Sequence, residues 1–165
     1  MIIGRGDIGK AIKDREGFLF YANGISNRFP ITELSKHKEE EEILTLARTI
    51  KMFVYISTLS IYYSDSEYTQ HKLRMERLIK TNIRNYCILR IGNITWGDNP
   101  NTLVNYLKIN QSRTDDTYRY LIDENELNHW IGMIPKTGQD SMNITGRRIS
   151  VPELVSKINN NKDLI

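Results

Sequence analysis

Met1-Ile2-Ile3-Gly4-Arg5-Gly6-Asp7-Ile8-Gly9-Lys10 opens the sequence with a short apolar run, a glycine turn and the start of a helical pattern. Gly4, Gly6 and Gly9 have the G-x-G-x-x-G spacing. Such glycines allow a tight turn and let the backbone approach a pyrophosphate, which then rests on the helix N-terminus. Glycine-rich turns also arise for purely structural reasons, so the strand–turn–helix context carries the reading rather than the glycines alone. An acid ~20 residues further on would hold the adenosine ribose of such a ligand. Asn27-Arg28-Phe29-Pro30 occupy that neighbourhood, with no carboxylate. Arg5, inside the turn, either meets a phosphate or is a solvated charge.

Outward from this turn, apolar runs alternate with helical patterns, as in βαβ units around a parallel sheet. Ile8–Arg15 reads as the first helix. Phe18–Tyr21 is a buried strand closed by Asn23-Gly24. Ile43, Leu44, Ala47 and Ile50 recur at helical spacing and predict an amphipathic helix from about Lys36 to Ile50. Met52–Ser57 is a β-branched and aromatic strand. Tyr68–Lys80 is a helix with Leu73, Met75, Leu78 and Ile79 on its apolar side, and Cys87–Ile91 is another buried strand. Beyond Pro100 the pattern predicts a helix near Thr102–Ile109, a strand near Tyr118–Ile122 and a helix near Glu126–Met133. Ser150-Val151-Pro152-Glu153 has the form of a capping box, and a helix then runs through Leu154, Val155 and Ile158.

The 165 residues fit one domain, 1–165, with a hydrophobic content of 39% that suits an ordinary globular chain. No apolar run approaches the ~20 residues that span a bilayer, and the first residues lack the pattern of a secretory leader. The single cysteine, Cys87, reads as a small core hydrophobe in a reducing compartment. We therefore expect a cytoplasmic protein with no membrane partner. The 23 basic and 20 acidic side chains are interleaved, with no basic patch, so no nucleic-acid partner is expected. The one dense run, Glu39-Glu40-Glu41-Glu42, reads as a solvated helix face.

Two further groups of residues could carry chemistry. Tyr68 and Lys72 stand four apart, one turn apart on one helical face. A cation there favours the phenolate, lowers the tyrosine pKa from ~10 and makes Tyr68 a general acid/base. His71 beside them reads as a surface histidine. Ser57-Thr58-Leu59-Ser60 ends a strand, where open α/β sheets place their ligands; its hydroxyls either orient a substrate or cap the strand.

The order of these parts resembles the short-chain dehydrogenase/reductase superfamily: glycine turn, hydroxyl cluster, then Tyr-x-x-x-Lys. Further stretches resemble its extended branch, the NAD-dependent nucleotide-sugar epimerases and dehydratases. They are Phe20-Tyr21-Ala22-Asn23, Phe53–Tyr62, the Arg-x-x-Asn-x-x-Gly stretch Arg90–Gly97, and Asn143–Gly146 followed by Glu153-Leu154. The resemblance implies a truncated Rossmann-like α/β fold, a doubly wound parallel sheet, in which about 100–165 is a reduced substrate-binding portion. It implies NAD or NADP as cofactor, a nucleotide-sugar-like substrate, and a homodimer through the helices near 36–50 and 68–80, where Arg74, Arg77 and Lys80 would offset the acidic run.

It also implies roles. Tyr68 would be the acid/base, Lys72 would lower its pKa and contact the nicotinamide ribose, and Thr58 would hydrogen-bond the reacting oxygen. Gly4, Arg5, Gly6, Asp7, Ile8 and Gly9 would cradle the pyrophosphate, with Ala22, Ser57 and Asn93 also against the cofactor. One departure is expected to matter. Few residues separate the first helix from Phe18, where the family has two more strands that build the adenosine side of the site. The first strand should therefore lie at a sheet edge beside Phe18–Tyr21. The expected function is an NAD(P)-dependent epimerase, dehydratase or reductase acting on a nucleotide sugar; the alternative is a non-catalytic nucleotide-binding or regulatory module of the same descent.

Overall fold

A computed structural model describes residues 1–26, 30–110 and 116–164. Asn27, Arg28 and Phe29, where the ribose acid was sought, lie outside the described residues. In chain order the elements are β1 (Ile2–Ile3), α1 (Asp7–Ala11), β2 (Phe18–Tyr21), α2 (Glu33–Leu46), β3 (Met52–Thr58), a 3-10 turn (Leu59–Tyr62), α3 (Glu67–Asn82) and β4 (Tyr86–Ile91). There follow β5 (Asn93–Ile94), α4 (Leu103–Ile109), β6 (Tyr118–Ile122), α5 (Glu124–Met133), β7 (Gln139–Ile144), β8 (Arg147–Ser150) and α6 (Val151–Asn159).

The main sheet has five parallel strands in the order β1-β2-β3-β4-β7. Strands buried on both faces are continuous apolar runs, which is why Phe18-Leu19-Phe20-Tyr21 and Met52–Ile56 form the middle of the sheet. Alternate side chains of those strands feed two cores. On one face Phe18, Phe20, Val54 and Leu89 pack with Ile12 of the segment after α1 and with Leu127 and Ile131 of α5. On the other, Leu19, Tyr21, Tyr55 and Ile88 pack with Ile43 of α2 and Met75 and Ile79 of α3. Helices on both faces make the sheet doubly wound, as expected. Cys87 is fully buried in the first of these cores.

Strand β1 is the edge, pairing Ile2 with Phe20 and Ile3 with Tyr21, and no described strand lies beyond it. A second, three-stranded sheet, β5-β6-β8, holds a smaller core in which Val104 and Leu107 of α4 and Leu154 of α6 cover Leu121 and Ile149. Residues after 100 thus serve both sheets, since α5 and β7 return to the main one.

Several expectations are corrected. Helix α1 ends at Ala11 rather than Arg15. Helix α2 runs three to four residues earlier than its apolar pattern suggested, and Ile50 is 93% exposed beyond it. The reason is that α2 buries Ile43 and Glu39 rather than an apolar stripe, while Leu44 is exposed. Strand β7 was missed because Gln139-Asp140-Ser141 at a sheet edge carries no apolar signal. At α6 only half of the capping box forms: Ser150 accepts from the Glu153 N–H, while the Glu153 carboxylate goes to Arg147, 2.9 Å away.

Candidate functional site

A cavity of about 750 Å³ opens at the C-terminal ends of β2, β3 and β4, with Gly6, Ala22, Thr58, Tyr68, Lys72 and Asn93 in its wall. Ligand cavities are typically ~300–1,000 Å³, and open α/β sheets place them at this end of the strands. Three residues from two elements meet there, Thr58 at the end of β3 and Tyr68 and Lys72 in the first turns of α3.

Thr58 is the last residue of β3 and caps the 3-10 turn, its hydroxyl oxygen accepting from the Ser60 N–H at 3.1 Å. Thr58 also lines the cavity beside Tyr68. The capping reading of this hydroxyl cluster therefore holds for Thr58. Tyr68 is the second residue of α3, inside a capping box: Ser66 accepts from the Thr69 N–H and Thr69 accepts from the Ser66 N–H. The Thr69 hydroxyl also holds the Ser64 carbonyl, so the start of α3 is fixed on both sides of Tyr68. Lys72, one turn on, is fully buried but for 3% of its surface.

The glycine turn divides by task. Gly4 sits at φ +127°, and a Cβ there would lie 2.4 Å from the Ala22 carbonyl oxygen. A Cβ on Gly9 would lie 2.6 Å from the Gly4 carbonyl oxygen. Those two glycines close the turn onto β2 and onto α1, and neither lines the cavity. Gly6 is different. It lines the cavity, and a Cβ there would meet nothing within 4 Å. Packing does not require it; an approaching ligand would.

The remaining residues expected against a cofactor are placed as follows. Ala22 and Ile8 line the cavity, and Asn93 does too while donating to the Tyr120 carbonyl at 3.1 Å. Arg5 stands exposed at the rim. Asp7 turns its carboxylate toward the loop after β5, accepting from the Asn99 N–H at 3.1 Å, and Gly97 fits against it at φ +91°. Ser57 is buried and its hydroxyl donates a hydrogen bond to Glu76, 2.7 Å away, so that hydroxyl serves the interior.

Sequence reasoning missed the acids. Glu39 is not on a solvated face but 3% exposed. Its carboxylate accepts from the Ile25 N–H at 2.6 Å and the Tyr55 hydroxyl at 2.8 Å, and meets His71 Nε2 at 2.9 Å. His71, expected at the surface, is buried by the same contact, and its Nδ1 has no hydrogen-bond partner among the described residues. Glu42 lines the cavity and accepts from the Tyr21 hydroxyl at 2.7 Å and the Asn23 amide at 2.9 Å. The signal available was the three-residue spacing of Glu39 and Glu42, which puts both on one face of a helix.

Electrostatics follow from these contacts. Burial would push the Glu39 carboxyl up, but the Lys72 charge and the hydrogen bonds from His71, Ile25 and Tyr55 outweigh it and hold the pKa down at about 2. Burial lowers the Lys72 ammonium against the opposing pull of Glu39 and Glu76. The Tyr68 phenol is raised, first by burial and then by the Glu39 charge, with Thr58 pulling it back. The expected lowering of Tyr68 by Lys72 is therefore not what the chain's own groups produce.

A nicotinamide dinucleotide fits this site in part. Gly6 leaves room for a phosphate to approach the backbone, and Thr58, Tyr68 and Lys72 border the same space. Past β1, the side of the adenosine half, no described strand continues the sheet.

The sequence matches no family model and no curated protein sequence. Its fold does match solved structures. The Bordetella bronchiseptica enzyme WbmG, in complex with NAD and UDP, superposes with a TM-score of 0.68 at 12% identity over 88% of this chain and 56% of that one. A Bacillus cereus UDP-glucuronic acid 4-epimerase mutant with NAD and a fluorinated UDP-sugar gives 0.67 at 16% identity, over 93% and 62%. The Bacillus anthracis dTDP-4-dehydrorhamnose reductase with NADP gives 0.64 at 15% identity, over 90% and 64%. At these identities the likeness establishes a Rossmann-like α/β fold. The chain spans 56–64% of the length of those three proteins.

Proposed function

We propose that the chain is an NAD(P)-dependent oxidoreductase-type enzyme of the epimerase, dehydratase and reductase kind, acting on a nucleotide sugar. The observation that carries this is the convergence of Thr58, Tyr68 and Lys72 on the cavity that Gly6 also lines. The three solved structures contain NAD or NADP, and two of them hold UDP or a UDP-sugar as well.

A bound nicotinamide would supply the hydride chemistry. The chain's own residues do the rest. Tyr68 holds the proton that moves to or from the reacting oxygen, and Thr58 shares that oxygen as a second hydrogen-bond partner. Gly6 admits the diphosphate, and Ala22 and Asn93 wall the nicotinamide side. Lys72 borders the same cavity, where a ribose would share it with Tyr55 and Glu39. The protein acts in the cytoplasm as a homodimer through α2 and α3. One of the cations once assigned to that interface, Arg74, already pairs with Glu40 of its own chain at 2.6 Å.

Titration with NADH and NADPH, followed by the nicotinamide fluorescence, tests this reading. Saturable binding that is lost in Gly6→Val supports it; no binding of either cofactor removes it. A second reading, a non-catalytic nucleotide-binding module, is favoured by the edge position of β1 and by the burial of Lys72 against Glu39. Cofactor binding without turnover in Tyr68-dependent assays would select it.

A further inference from the structure

Lys72 is spoken for. Its ammonium donates to the Tyr55 hydroxyl at 3.1 Å and to the Ile56 carbonyl at 3.5 Å, and Glu39 Oε1 lies 3.8 Å away. Toward Tyr68 it presents only a contact with the ring face, 5.8 Å from the centroid. The Tyr55 hydroxyl stands between the two charges, accepting from Lys72 and donating to Glu39 at 2.8 Å. Glu39 is in turn held by the Ile25 N–H and by His71. Gly24 closes over the pair so tightly that a Cβ there would lie 2.6 Å from both Glu39 Oε1 and Lys72 Nζ. Every ordinary hydrogen-bonding route from Lys72 leads away from the Tyr68 hydroxyl.

We propose that Glu39 is a positioning residue: by claiming Lys72 through Tyr55, it turns that ammonium away from the Tyr68 hydroxyl and leaves the phenol carrying the proton it can share with a substrate carbonyl. This rests on the oxidoreductase reading above, in which the same groups serve carbonyl reduction and its reverse. A bound reduced nicotinamide would supply a hydride, with both its electrons, to the carbonyl carbon, while Tyr68 gives its proton to the carbonyl oxygen. The products are an alcohol and the oxidised nicotinamide, and Tyr68 recovers its proton from solvent.

The groups facing this network come from four directions. Helix α2 contributes Glu39 and Glu42, and α3 contributes Tyr68, His71, Lys72 and Glu76. The strands contribute Tyr21 and Tyr55, and the end of the 3-10 turn contributes Tyr63. Two of the charged groups, Glu39 and Glu42, oppose ionisation of the neighbouring tyrosines, and the raised Tyr68 and Tyr21 phenols agree with that. An acid that holds its proton at neutral pH is suited to giving it up only as charge develops on the substrate oxygen.

The test is a pH titration of the full chain labelled with 13C at tyrosine Cζ, with Tyr68→Phe identifying the Tyr68 signal. In the unsubstituted protein Tyr68 should remain un-ionised through the range in which ordinary tyrosines titrate. In Glu39→Gln its titration should move down by about one pH unit or more. An unchanged Tyr68 titration in a folded Glu39→Gln protein overturns the proposal. Should Glu39→Gln not fold, Tyr55→Phe decides, since it removes the hydroxyl that links Lys72 to Glu39: a downward move supports the proposal and an unchanged titration overturns it. The two readings fail separately. Absence of NADH binding sinks the oxidoreductase reading whatever Tyr68 does, and an unmoved Tyr68 sinks this one whatever NADH does.

Discussion

Arg90 grips Glu76 through one edge of its guanidinium, with Nε 3.0 and 3.2 Å from the two carboxylate oxygens and one terminal nitrogen 2.6 Å from Oε2. The Glu76 side chain is 3% exposed, and Ser57 donates to it from the strand beside the cavity. The far side of the guanidinium reaches the Tyr62 hydroxyl at 2.8 Å, which meets Asn143 of β7. One ion pair thus ties α3, β3, β4 and the 3-10 turn together behind Thr58. Removing one partner of a buried pair costs about 3–5 kcal/mol, because the other is left without compensation. Arg90→Met should therefore destabilise the fold by about that much in urea denaturation, and the double change Arg90→Met with Glu76→Leu should recover a good part of it.

The glycine turn offers a sharp contrast. Gly4→Ala forces a Cβ against the Ala22 carbonyl at a φ that L-residues rarely adopt, and should cost about 3 kcal/mol or more. Gly6→Ala meets open space and should change stability by less than about 1 kcal/mol, while weakening cofactor binding. Thermal melts of the two variants beside NADH titrations separate the packing glycine from the binding one.

Acid should unfold the protein through Glu39. Its pKa is held from an ordinary 4.5 down to about 2, so the folded state stabilises the carboxylate. That contribution is complete above the unfolded value and is lost as pH falls through the folded one, between pH ~5 and ~2. A shift of this size corresponds to on the order of 3 kcal/mol. Glu39→Gln should flatten the fall in stability over that window, and denaturation curves at pH 6, 4 and 3 would show whether it does.

Loss of the Tyr68 hydroxyl should separate chemistry from binding. Tyr68→Phe keeps the ring that faces Lys72 and removes only the phenolic hydroxyl. Carbonyl reduction should drop ~10²–10⁴-fold, the usual worth of a positioned general acid. NADH affinity should stay within a few-fold. Thr58→Val should cost turnover too, with about 1 kcal/mol of stability lost through the cap of the 3-10 turn.

What could be read in advance follows the apolar residues. Phe18–Tyr21 and Tyr118–Ile122 have the same bounds in sequence and structure, and Met52–Thr58 differs by one residue; Phe18–Tyr21 and Met52–Ile56 leave an unbroken apolar trace, while Tyr118–Ile122 is buried only at Leu121 and Ile122. The edge position of β1 also followed from the few residues between Ala11 and Phe18. Polar interiors left no such trace. Glu39 and His71 look like solvent residues until the fold brings Tyr55, Lys72 and the Ile25 N–H around them. Tyr68 and Lys72 were found by spacing, yet spacing says nothing of a third charge arriving from another helix. Burial, and then that charge, raise the Tyr68 phenol where the spacing alone predicted a lowering.

The edge strand has a kinetic side. A dinucleotide bound in the cavity would have Gly6 and Ala22 at its wall, and beyond Ile2–Ile3 no described strand would shelter its far half from water. Such a ligand would be held mainly by its nicotinamide end and would leave quickly. The protein would then treat the nucleotide as a diffusible co-substrate, drawn from the surrounding pool and returned to it at each cycle. Its turnover would follow the ratio of reduced to oxidised nucleotide around it.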